Sequence, residues 1–253
     1  MIIQWLGFSA IKRLRSKISA RPKEYYPQQH SCQIPNLSFL FTQFLGERES
    51  GVFVEVGAFD GTTVSNTWGL ASRNWKGILI EPIPVYAARC IKNHRHHPNV
   101  EVVQLAVGTP ESNQISLRIA GPLTTANLEL NTEYEKTKWA RKFLRDETYT
   151  ANCVDLNSLL EEKHIEPGFD LLVVDVEGYE QQVFSSFNLD YWHPKMMIVE
   201  LADTHPELAS TRKSDSRLTQ SILFGGYQIV FKDSINTVFV DSKTYVRAQS
   251  RMK

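Results

Sequence analysis

Val52-Phe53-Val54-Glu55-Val56-Gly57-Ala58-Phe59-Asp60-Gly61 decides how this chain is read. A short apolar strand carrying one acid, Glu55, runs into two glycines, Gly57 and Gly61. About twenty residues further on, Gly77-Ile78-Leu79-Ile80 forms a second strand and ends on another acid, Glu81. Strand, glycine turn, helix, strand, acid is the order in which open α/β sheets hold adenosine cofactors.

The turn itself discriminates between such cofactors. A dinucleotide fingerprint is GxGxxG, whereas this chain has acid-x-Gly-x-x-x-Gly. The glycines permit a tight turn and close approach of a ligand. A carboxylate at Glu55 repels a pyrophosphate and can accept a hydrogen bond from an ammonium. Glu81 stands where it can accept from both hydroxyls of a ribose. These preferences favour S-adenosylmethionine over NAD. Asp60 either approaches the amino-acid end of that ligand or caps the helix that follows. Gly57 and Gly61 have an ordinary strand-to-helix turn as the alternative reading, and the two glutamates that of solvated acids at strand ends.

Outward from this segment, β and α patterns alternate. The apolar character of Val52–Val56 predicts burial on both faces, as in parallel sheets; Val100–Leu105, Asp170–Val174 and Met196–Leu201 read as further strands, Asp170–Val174 strongly apolar. Thr62–Ser72, Val85–His94, Val154–Glu162, Gln181–Phe187 and Ser214–Phe224 read as helices. Tyr227–Phe231 and Thr237–Val240 have the spacing of a hairpin. Right-handed crossovers then demand a doubly wound α/β sheet, mostly parallel, with helices on both faces and an antiparallel pair at the end. The stretch from Thr109 to Ala151 is an excursion from this pattern. It contains an alternating segment, Ile115–Ile119, and a charged segment, Glu133–Arg145, with Trp139, Phe143 and Tyr149 as lid or core aromatics.

Composition is that of a soluble globular domain, with 42% hydrophobic and 22% charged residues. Lysine plus arginine equal aspartate plus glutamate at 28 each, so no basic field marks a nucleic-acid partner. Cys32, Cys90 and Cys153 form no pair motif, which suits a cytoplasmic setting. The leader differs from the rest. Met1–Ala20 combines Trp5, Leu6, Phe8 and Ile11 with Lys12, Arg13, Arg15 and Lys17. It is too short in apolar run to span a bilayer. It reads either as an amphipathic helix on a membrane surface or as a helix packed on the domain. Arg21–Pro35 reads as a linker, so the expected division is 1–35 leader and linker, then 36–253 catalytic domain.

Several motifs together resemble one family. Val54–Gly61 with Ser65-Asn66-Thr67, Trp75-Lys76-Gly77-Ile78-Leu79-Ile80-Glu81-Pro82, and Asp175-Val176-Glu177-Gly178-Tyr179-Glu180 resemble the FkbM-like methyltransferases. Ala106-Val107-Gly108 and Val154-Asp155-Leu156 also match, and the likeness covers Leu45 to Val240. The resemblance implies a Rossmann-like class I methyltransferase fold of seven strands, S-adenosylmethionine as donor, and usually a hydroxyl acceptor. By it, Glu55, Gly57 and Glu81 bind the donor, and Asp175–Glu177 borders the reaction site. Ala58, Asp60, Gly61, Pro82 and Ala106 lie in the same motifs and are assigned to the cofactor with them.

The acceptor is then a small molecule or glycan carrying a hydroxyl. Strand ends carry Asp175, Glu177 and Glu200, with Asp203 and His205 in the next loop, all expected to face one crevice. Asp175 is the first candidate for the proton-accepting base, with Glu177 beside it and His205 as the second candidate. Asp175, Glu177 and Glu200 could instead hold a divalent cation, although no metal site is predicted. His94, His96 and His97 look metal-like but read better as a solvated helix end. An NAD-dependent enzyme on the same architecture and a non-catalytic cofactor-binding scaffold are the rival readings.

Overall fold

A computed structural model describes residues 24–251. Seven strands form the central sheet: β1 (Val52–Val56), β2 (Lys76–Ile80), β3 (Val100–Val103), β7 (Leu171–Val174), β8 (Met196–Glu200), β9 (Tyr227–Lys232) and β10 (Asn236–Asp241). Their order is β3-β2-β1-β7-β8-β10-β9. The pairs from β3 through β8 are parallel, and β10 runs antiparallel to both β8 and β9. This is the expected doubly wound, Rossmann-like class I methyltransferase sheet with its terminal hairpin.

The central strands β1, β2, β7 and β8 are mostly apolar because both faces are covered, whereas the edge strands β3 and β9 carry Glu101, Gln228 and Lys232. Successive residues alternate between two cores. Val54, Val56, Ile78, Leu172, Val174 and Met197 belong to one, which packs on Leu156 and Leu160 of α6 (Leu156–Glu162), Val183 of α7 (Glu180–Ser185), and Leu218 and Ile222 of α9 (Arg212–Phe224). Phe53, Leu79, Leu171, Val173 and Ile198 belong to the other. That face is covered by α1 (Leu37–Leu45) through Phe41 and Leu45, by Leu70 of α2 (Trp68–Ala71), by Cys90 of α3 (Pro84–Asn93), and by Ala248 of α10 (Ser242–Arg251).

Several expectations need correction. Thr62–Ser72 is helical only over Trp68–Ala71; before that it is a run of turns, with Val64 at φ 55. The third strand stops at Val103, and β4 (Ala106–Val107) leaves the main sheet. It pairs with β6 (Thr148–Val154), which pairs with β5 (Gln114–Arg118) in a separate three-stranded sheet. The excursion is therefore ordered. It also carries α4 (Leu128–Lys136) and α5 (Lys138–Arg141). Helices α8 (Leu189–Trp192) and α10 were not anticipated.

The described part of the expected linker packs against the domain. Tyr26 and Ile34 are fully buried, and Tyr26 meets Phe41 and Trp75 edge-on. The Tyr26 hydroxyl donates to Gly46 O at 2.5 Å and accepts from Arg48 N at 3.2 Å. The leader, Met1–Ala20, lies outside the described residues. No helix among the described residues is long and apolar enough to cross a membrane.

Candidate active site

Strand order reverses between β1 and β7, and open α/β sheets bind ligands at the carboxyl ends of strands beside such a reversal. Two cavities open there. The first is mostly apolar, lined by Phe59, Ile80, Pro82, Tyr86 and Ala106 together with Glu81. The second is more polar, with Gln33, Glu55, Ala58, Thr63, Ser65 and Leu123. Gly57, Phe59, Pro122, Asp175 and Glu177 line both, so the cavities meet at two acidic residues.

Backbone geometry makes the junction possible. Gly57 sits at φ +90, and a Cβ there would lie 1.7 Å from the carbonyl oxygen of Asp175. No side chain fits, so β1 and β7 approach one another through the glycine. Gly57 N and Ala58 N both donate to Ile80 O, tying the turn to the end of β2. Glu81 accepts from Phe59 N at 2.9 Å and from Ile83 N at 2.8 Å. Its carboxylate is thereby fixed in the wall of the first cavity, with lone pairs to spare. Burial pushes Glu81 up to about 8 despite those two donors. Glu55 accepts from the Thr67 hydroxyl at 2.6 Å. Burial, with Asp175 adding to it, raises Glu55 to about 8.

Asp60 and Gly61 are placed differently. Asp60 accepts from the backbone and hydroxyl groups of Thr62 and Thr63. Burial opposes its charge, but those four donors outweigh it and hold the carboxyl below its ordinary value. Gly61 at φ +73 is backed by His94, whose Nε2 lies 2.8 Å from Gly61 O. Neither Asp60 nor Gly61 lines the two cavities, and both build the turn that Glu81 grips. The histidines do stand at the end of α3, where His96 is exposed; His94, its C-cap, is instead buried against the turn, and His97 lies in hydrogen-bond contact with it at 2.9 Å.

Of the five residues expected in one crevice, three come together. Oxygens of Asp175, Glu177 and Glu200 lie within 4.8 Å of one another, a spacing that could hold a cation. Glu200 Oε2 has neither a partner nor exposed surface. All three carboxyls are raised, first by burial; Asp175 adds to the shifts of Glu177 and Glu200. Asp203 is instead paired with Lys232 at 2.7 Å. His205 lines neither cavity; its Nδ1 accepts from Glu207 N and Leu208 N and shapes the loop after β8. The second base candidate thus stands apart from the first, because a turn-forming proline follows it and folds the ring back on its own loop.

No lysine, arginine or histidine among the described residues lines either cavity. Buried carboxyls without countercharge are costly, and a cationic ligand relieves them. The donor set therefore fits S-adenosylmethionine, which brings a sulfonium and an ammonium, and an anionic pyrophosphate would be repelled. A family profile, the methyltransferase FkbM domain, matches residues 55–229. The chain belongs to the FkbM methyltransferase family. It is a methyltransferase, and S-adenosylmethionine is its methyl donor. The FkbM domain begins inside β1 and ends inside β9, so it includes the glycine turn, Glu81, the excursion and the Asp175–Glu180 loop.

No curated protein matches the chain in sequence. Solved structures are similar at low identity. An O-methyltransferase from Bacillus cereus in complex with SAH is 11% identical with a TM-score of 0.44, over 92% of this chain and 97% of that one. A putative O-methyltransferase from Klebsiella pneumoniae is 11% identical with a TM-score of 0.46, over the same shares. Fibrillarin from Aeropyrum pernix with natively bound S-adenosyl-L-methionine is 11% identical, with a TM-score of 0.38, over 75% of this chain and 66% of that one.

Several lining residues were missed from sequence. Phe59 and Tyr86 meet edge-on at 4.6 Å and wall the first cavity. Gln33 reaches the second cavity from outside the family domain, and Gly121–Ala126 closes over both from the excursion. Their only signal was position: Phe59 lies within the glycine turn, and the excursion is too long to be a mere connection.

Proposed function

We propose that this methyltransferase alkylates oxygen: a hydroxyl on a sugar, glycan or secondary metabolite. The observation that carries this reading is the meeting of the two cavities at Asp175 and Glu177, with no basic side chain among the described residues lining either. A hydroxyl acceptor needs a proton taken from it and no cationic group to hold it. When bound, S-adenosylmethionine supplies an electrophilic methyl group on a sulfonium sulfur. Glu81 accepts from the ribose hydroxyls, and Glu55 takes the ammonium. Gly57, Ala58, Pro82 and Ala106 shape the seat, while Asp60 and Gly61 hold its turn. Asp175 would accept the proton of the acceptor hydroxyl as that oxygen takes the methyl group and S-adenosylhomocysteine leaves, with positioning of the two reactants contributing to the rate.

The expected partners are a small-molecule or glycan acceptor and no nucleic acid. Peripheral contact of residues 1–20 with a membrane belongs to the same reading. Sedimentation of the full chain with anionic liposomes, lost on deleting those residues, supports it; unchanged sedimentation removes it.

The test of the main reading is transfer from isotopically labelled S-adenosylmethionine to a panel of neutral glycans, polyols, amines and carboxylates. Mass spectrometry should locate the label on a hydroxyl, with turnover lost in Asp175→Asn. Label on nitrogen or carbon, or undiminished turnover in Asp175→Asn, contradicts it.

A further inference from the structure

Glu177 is held in an unusual conformation. It sits at φ 54, and Gly178 follows at φ 83. Two successive residues in the left-handed region cost energy when the first is a glutamate, and such backbone persists only where its surroundings enforce it. Part of the restraint is local. One oxygen of the buried Glu180 carboxylate accepts from Val176 N at 3.0 Å and Gly178 N at 3.2 Å. The rest comes from the excursion, roughly fifty residues earlier in the chain.

Three excursion side chains reach this turn. The Thr125 hydroxyl donates to Glu177 O at 2.5 Å, and Asn127 Nδ2 donates to Gly178 O at 2.9 Å. The Tyr134 hydroxyl donates to Glu177 Oε2. Their chain positions explain the convergence. Asn127 caps α4, its Oδ1 accepting from Glu129 N and Leu130 N, which leaves its amide nitrogen for Gly178. Leu130 and Tyr134 follow at helical spacing on the buried face, and Leu130 packs where a Cβ on Gly178 would stand, 2.7 Å away. At the far side of α4, Glu133 accepts from Ala209 N, Ser210 N and the Ser210 hydroxyl, anchoring the helix to the loop after β8.

We propose that Tyr134 is a positioning residue for methyl transfer: with Thr125 and Asn127 it fixes the left-handed Glu177 so that its carboxyl faces the junction of the two cavities. The excursion is thus a clamp on the reaction site as well as its cover. The proposal rests on the methyltransferase reading. The hydroxyl also has an electrostatic effect. Burial and Asp175 push Glu177 toward its neutral form, and the hydrogen bond from Tyr134 favours the charged form. Removing the hydroxyl therefore weakens the negative charge at the junction as well as freeing the side chain.

The sulfonium of S-adenosylmethionine carries a charge that S-adenosylhomocysteine lacks, so the ratio of the two affinities reads negative charge at that junction. Calorimetry on the full chain should show wild type preferring the sulfonium. Tyr134→Phe, which keeps the ring, should reduce that preference by about tenfold, the scale of one hydrogen bond to a charged group. Glu177→Gln should reduce it as much, and the double variant no further. A preference unchanged in Tyr134→Phe, or an equal fall in the Glu177→Gln background, overturns the proposal. If Tyr134→Phe fails to fold, Thr125→Val takes its place under the same criteria. Wild type that binds neither ligand overturns the methyltransferase reading itself, and the clamp with it.

Discussion

Among single residues, the buried carboxyls and one glycine set the properties of the cleft. Glu55, Glu81 and Glu180 are each pushed up to about 8 from an ordinary 4.5, burial being the first cause. They hold protons more readily folded than unfolded. Their contribution to stability is full below about pH 4.5 and is lost as pH rises toward about 8. The thermal midpoint of the ligand-free chain should therefore fall across that window, and saturating S-adenosylmethionine should shrink the fall by supplying positive charge. Calorimetric scans at stepped pH check this; a flat midpoint would contradict it. Gly57→Ala puts a Cβ 1.7 Å from Asp175 O at a positive φ. It should cost more than about 2 kcal/mol of stability and abolish cofactor binding, measurable by denaturant titration. A stable, binding variant would show that β1 and β7 can part at little cost. At this scale the placement of Glu55, Gly57 and Glu81 around the cavities was legible because motif spacing encodes it. His205 was not, because nothing in the sequence tells a ring turned on its own loop from one facing a cleft.

At the scale of elements, legibility followed burial. The strands β1, β2, β7 and β8 announce themselves as apolar runs buried on both faces. Thr62–Thr67 was misread as helix because its polar residues suit a helix start equally well, while Asp60 and Ser65 commit the backbone to turns through side-chain bonds. Helix α10 buries only Thr244 and Ala248 fully, so it left almost no periodic apolar signal. The clamp helix α4 is similarly thin in signal, with Leu130 and Tyr134 as its buried residues. Asn127 both caps α4 and holds Gly178 O. Asn127→Ala should destabilise the chain by about 1–2 kcal/mol, as loss of a helix cap does, and also lower turnover. Asn127→Asp keeps a cap but not the donor to Gly178, so it should recover stability more than turnover. Equal recovery of both would reduce Asn127 to a cap.

At the scale of the molecule, the site is assembled from parts far apart in sequence. The glycine turn of β1, the acid ending β2, the loop after β7 and the excursion converge at one sheet reversal. The strap ahead of the family domain joins them. Gln33 lines the second cavity while Tyr26 and Ile34 anchor the strap in the core. Tyr26→Ala should cost roughly 3–5 kcal/mol, since it removes a fully buried ring and two hydrogen bonds. A loss under about 1 kcal/mol would mean that the strap is dispensable to the fold. In the proposed function, Glu81 seats S-adenosylmethionine in the cleft at the β1–β7 reversal. Calorimetric titration with S-adenosylhomocysteine and with NAD, on wild type and Glu81→Ala, is the first test. Micromolar binding of the homocysteine compound alone, on the order of −8 kcal/mol, and its loss in the variant are the expected result. Binding of NAD instead, or homocysteine-compound binding undiminished in Glu81→Ala, would contradict it.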